Sequence, residues 1–93
     1  SIDDAVTRVG KDLLQLPMKV AIKKMRDFLT THFEQAQASD WLVPSDEPAM
    51  NGAAWRFEVQ PNQQRPYELM DVRYWLRYDG TTRAIHVTQT LSR

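Results

Sequence analysis

The hydrophobic period changes once along this chain. Before residue 38 apolar residues recur in steps of three and four, and after residue 54 they alternate. Steps of three and four line one face of a helix, whereas alternation lines one face of a strand. Helices therefore come first and strands last, and 93 residues leave room for one shared core. The pattern predicts one α+β domain, a kinked or broken N-terminal helix packed on a three-stranded antiparallel C-terminal sheet. Its parts are a helical half at 1–38, a loop at 39–54 and the sheet at 55–93.

In the helical half, Ser1-Ile2-Asp3-Asp4 has the form of a capping signal, and both acids favour a helix start. Ile2, Val6, Val9, Leu13 and Leu16 make a first apolar stripe. Pro17 removes a backbone donor and crowds the preceding turn. A second stripe follows at Met18, Ile22, Met25, Leu29 and Phe33, with Phe28 alongside, out of phase with the first. Pro17 is thus a kink, or a break with proline opening a new helix.

From Ala38 to Ala54 the periodicity lapses into turn residues, among them Ser39, Asp40, Pro44 and Gly52. Trp41, Leu42 and Val43 are apolar inside this loop and are expected to fold back onto the core.

Three strands are read in the last part. Trp55 to Val59 alternates, and a polar loop with Pro61 and Pro66 follows. Residues 67–78 form the longest strand candidate. Met70, Val72, Tyr74, Leu76 and Tyr78 point one way, and Asp71, Arg73, Trp75 and Arg77 the other. Asp79-Gly80 is a two-residue hairpin signal, because a type I′ turn needs positive φ at both central positions. That turn pairs Tyr78 with Thr81, Val72 with Val87 and Tyr74 with Ile85. It places Trp75 opposite Ala84, Arg73 opposite His86 and Asp71 opposite Thr88. The core face of the third strand is then Ile85 and Val87, with Leu91 as a further candidate.

Twelve Lys and Arg balance twelve Asp and Glu, but unevenly along the chain. Residues 8–26 carry six cations against Asp12, and residues 27–58 carry six acids against Arg56. This is either a solvated basic helix face followed by an acidic loop, or two complementary surfaces used in assembly. The zero net charge does not advertise a nucleic-acid partner.

Little in the sequence supports catalysis. With no cysteine there is no thiolate metal site, disulfide or cysteine nucleophile. The three glycines are scattered, no histidine pair has metal-ligand spacing, and no serine stands in a nucleophile motif. His32, near the end of the second helix, reads as structural. The expectation is a non-enzyme with no metal and no cofactor.

The informative surface is the outer face of the hairpin, where Arg73, Trp75 and Arg77 line up beside His86. An aromatic flanked by arginines can stack a base and hold phosphates, or anchor a protein interface. A third option is that a helix or the Trp41 loop covers Trp75.

The element order resembles the soluble part of a type IV pilin-like protein without its hydrophobic N-terminal segment. Ala54-Trp55-Arg56-Phe57-Glu58-Val59-Gln60-Pro61, Tyr67-Glu68-Leu69, Val72-Arg73-Tyr74-Trp75 and Thr88-Gln89-Thr90-Leu91 resemble the C-terminal sheet of the minor pseudopilin I family of type II secretion systems. The resemblance implies a non-enzymatic subunit held in the inner membrane by a helix upstream of Ser1. The domain would sit in the periplasm and pack beside other pilin-like subunits at the tip of a short fibre. The sequence is therefore read as an interaction or assembly module. The alternative is a nucleic-acid-binding or regulatory module using the Arg73, Trp75 and Arg77 face.

Overall fold

The computed structural model describes residues 2–45, 50, 52–80 and 83–93. Two helices, α1 (Ile2–Leu13) and α2 (Met18–Ala38), pack on an antiparallel sheet of β1 (Trp55–Pro61), β2 (Leu69–Leu76) and β3 (Ile85–Ser92), in spatial order β1-β2-β3. This is the α+β arrangement that the change of period predicts.

Pro17 breaks the helix rather than kinking it. It caps α2 with φ −54° and ψ 143°, an extended conformation, and its carbonyl accepts from the amides of Val20 and Ala21. The break frees α2 to turn its whole apolar stripe inward. Met18, Ala21, Ile22, Met25, Leu29 and Phe33 are all buried. Full burial of a side chain such as Leu29 or Phe33 contributes roughly 1.5–3 kcal/mol. Phe33 sits at the centre of the aromatic core, with ring centroids 5.7 Å from Trp55, 6.4 Å from Phe57 and 5.9 Å from Tyr74.

The end of α2 is a Schellman motif. Asp40 adopts φ 61°, the Trp41 amide bonds the Ala36 carbonyl, and the Asp40 amide bonds the Gln37 carbonyl. An aspartate does here what a glycine usually does.

α1 lies across the β3 side of the sheet. Its inward line is Val6 and Gly10, continued by Leu14 just past its end, while Val9 and Leu13 are only half-buried. This corrects the predicted stripe, which ran through Val9, Leu13 and Leu16 and omitted Gly10 and Leu14. A β-carbon on Gly10 would lie 2.5 Å from Leu91 Cδ1, so glycine is what lets helix and strand approach. At the start of α1 the Asp3 carboxylate accepts a hydrogen bond from the buried Tyr74. The Ser1 cap lies outside the described residues. At the other end the Arg93 guanidinium donates to the Leu16 carbonyl, 2.8 Å away.

Strand faces follow the alternation. Met70, Val72, Tyr74 and Leu76 are buried, and Tyr78 is half-buried. The hairpin register is displaced by two residues from the predicted one. Tyr74 faces Val87, Val72 faces Gln89, Trp75 faces His86, Arg73 faces Thr88 and Asp71 faces Thr90. Asp79 is not among the residues with positive φ, so it does not form the first centre of a type I′ turn, although Gly80 has φ 88°. The physical reason is a competing partner. Leu42 bridges Tyr78, the Val43 amide bonds the Arg77 carbonyl, and the Asp79 amide bonds the Trp41 carbonyl. The loop captures residues 77–79 and the hairpin opens early; the predicted Thr81 partner lies outside the described residues.

Two core assignments are corrected as well. Ile85 is 43% exposed, because α1 meets β3 through Gly10 and Leu91 and through Thr7, Asp3 and Gln89, further along the strand. Leu42 folds into the core as expected, but Trp41 remains 69% exposed.

Candidate interaction site on the outer sheet face

Alternation leaves β1, β2 and β3 with a second, polar face. Register sorts it into three cross-strand rows. They are Arg56, Trp75 and His86; Glu58, Arg73 and Thr88; and Gln60, Asp71 and Thr90. Trp75, Glu58 and Asp71 are half-buried and the other members exposed. The helices meet the opposite face, through Trp55, Phe57, Tyr74 and Leu91.

Trp75 is covered from the sides. The His86 ring stacks on it with centroids 4.5 Å apart and planes 3° from parallel. On its other side the Arg56 guanidinium carbon lies 4.6 Å from the ring centre. Arg56 is held in place by Glu58, 2.7 Å away. Stacking contributes about 0.5–1.5 kcal/mol and an exposed cation–π contact about 0.5–1 kcal/mol. The row is thus a small ladder of stacked side chains in which Trp75 is half-buried.

The next rows are tied together by hydrogen bonds. Thr90 Oγ1 donates to Asp71 Oδ1 at 3.0 Å, and Asn62 Nδ2 donates to the same carboxylate. Asn62 Oδ1 in turn accepts from the amides of Gln64 and Arg65, fixing the β1–β2 loop.

Of the four predicted site residues, the structure brings Trp75 and His86 into direct contact. Arg73 lies one row along, exposed. Arg77 leaves the group, since β2 ends at Leu76 and the Arg77 guanidinium donates to the Pro44 carbonyl. Arg56 is the member that sequence reasoning missed. Its place depends on the β1–β2 register, Arg56 with Trp75, and the long loop between those strands carries no turn signal that would fix it.

Among the described residues no three His, Asp or Glu side chains gather as metal ligands. No described helix is long and apolar enough to cross a membrane. Comparisons with protein-family models, curated proteins and solved structures find no match to this chain.

Proposed function

We propose that this domain is a non-enzymatic interaction and assembly module, a pilin-like component of a secretion or fibre machine, with the outer sheet face as its contact surface. The observation that carries this reading is the Arg56–Trp75–His86 ladder. Trp and Arg are enriched among interface anchors, and a side chain already held in place loses little entropy on docking. The partners are then other pilin-like subunits, and the compartment is the periplasm. The resemblance of residues 54–91 to the minor pseudopilin I sheet supports the same reading.

The ladder favours this over nucleic-acid binding. Base stacking needs a free aromatic face, and both faces of Trp75 are occupied by protein side chains.

The test is a pair of measurements on Trp75→Ala. Calorimetric binding to the soluble domain of a pilin-like subunit should weaken by roughly 2 kcal/mol or more. A denaturant melt should show a smaller loss, about 1–2 kcal/mol, because stacking and cation–π contacts are removed from an open face. A melt loss in the core range of about 3–5 kcal/mol would end the interface reading. Salt-sensitive binding of single-stranded DNA that disappears with Trp75 would favour the nucleic-acid alternative.

A further inference from the structure

The two ends of α2 carry opposite surfaces. At its N-terminal end a cleft of about 520 Å³ opens between the helix and the β1–β2 loop. Met18, Ile22, Pro61, Pro66 and Tyr67 give it an apolar floor and wall. Tyr67 is 81% exposed. Lys19, Lys23 and Arg26 supply its charge. Arg26 is anchored to the Val59 carbonyl at 2.8 Å, while neither lysine is ion-paired among the described residues. The neighbouring acid Glu68 is taken up by Arg65, 3.0 Å away.

At the C-terminal end stands the exposed Trp41. Its chain neighbour Asp40 and its backbone partner Asp79 are both exposed acids. The nearby cation Arg77 is engaged with the Pro44 carbonyl. An exposed indole whose backbone adjoins two exposed acids thus stands at one end, and an apolar cleft lined also by lysines opens at the other.

The two cannot meet within one molecule. α2 has 21 residues, which at 1.5 Å per residue separates its ends by about 30 Å. We propose that the cleft receives Trp41 of a second copy of this chain, a head-to-tail contact in which Asp40 and Asp79 face Lys19 and Lys23. The cleft lies in the range of small-molecule sites, about 300–1,000 Å³, and so has room for an indole. Lysines beside the ring add cation–π attraction. Because the two surfaces differ, each bound copy leaves one cleft and one tryptophan free, and the contact propagates into a ring or an open fibre. This contact is separate from the Trp75 face.

The test is sedimentation velocity of the folded chain at low salt, from about 10 μM to about 1 mM, a range that covers weak association. The expected result is an average mass that rises with concentration and falls when salt is added. Trp41→Ala and the double variant Lys19→Glu with Lys23→Glu should each stay monomeric, with unchanged circular dichroism. Mixing these two variants should restore association but stop at dimers, because only one cleft and one tryptophan remain intact between them. Trp75→Ala should associate like the wild type. The proposal is overturned by a wild type that stays monomeric throughout, by a mixture that stays monomeric, or by single variants that associate normally. Loss of association in Trp75→Ala would also overturn it, by moving the contact to the sheet face.

Discussion

The Tyr74 hydroxyl donates a hydrogen bond to the Asp3 carboxylate, joining residues 71 apart in sequence. It fastens the start of α1 to the central strand, and Gln89 Nε2 approaches the same hydroxyl at 3.4 Å. A hydrogen bond to a charged acceptor contributes about 1.5–3 kcal/mol. Tyr74→Phe should therefore destabilise by about that amount in urea melts. Asp3→Asn should cost less in the Tyr74→Phe background than in the wild type. Equal costs in both backgrounds would show that the two groups do not interact.

Gly10 sets a second contact of α1. Ala in place of Gly inside a helix normally gains about 1 kcal/mol. Here the added methyl meets Leu91, so in the wild-type background Gly10→Ala should gain nothing or lose stability. In a Leu91→Ala background the clash is gone and the full gain should return. A double-mutant cycle by chemical denaturation reads the coupling directly.

Asp40 holds a left-handed conformation at the end of α2. That conformation costs a non-glycine residue about 1–2 kcal/mol, and glycine returns about 0.5–1 kcal/mol of this as unfolded-chain entropy. Asp40→Gly should therefore raise stability by about 0.5–1 kcal/mol. Thermal melts at a concentration where the chain is monomeric would check it.

Burial of the Tyr78 ring, with the Asp3 carboxylate near it, pushes its phenol above the ordinary value of 10.0. The folded state then holds that proton more tightly than the unfolded chain. Below the unfolded value the phenol is protonated in both states and the contribution is fully present. As pH rises through and beyond about 10 the unfolded chain ionises first, and stability falls. Urea melts from about pH 8 to about pH 11 should show a steeper alkaline decline in the wild type than in Tyr78→Phe. Parallel curves would contradict the coupling.

The faces of α2 and β2 were legible in the sequence because their period marks them, whereas the α1 stripe and Ile85 of β3 were misplaced. Met25, Leu29 and Phe33 of α2 and Met70, Val72 and Tyr74 of β2 are buried as their spacing requires. Hairpin register was not legible, and the reason lies in the same period. Sliding β3 by two residues keeps every side chain on its face, so Val87 suits Tyr74 as well as it suits Val72. Only the turn could decide between them, and the bridge from Leu42 to Tyr78 overrode its preference. In the candidate site, Trp75 and His86 followed from alternation. Arg56 needed a pairing across a loop, and the cleft at Lys19 and Lys23 needed the approach of Tyr67 from far along the chain. Contacts of that kind leave no local periodicity to read.

The proline break has a consequence for how the molecule opens. α2 buries six residues in the core, whereas α1 buries only Val6 and Gly10. The side-chain hydrogen bonds of α1 to the sheet span 71 to 86 residues of chain. These are the longest-range side-chain hydrogen bonds of α1, and few buried side chains back them up. With Pro17 uncoupling the two helices, α1 is expected to open while α2 stays seated, and native-state hydrogen exchange should then show α1 amides exchanging faster than those of α2. α1 is thus fastened like a strap over the edge of a helix–sheet body that holds most of the buried side chains.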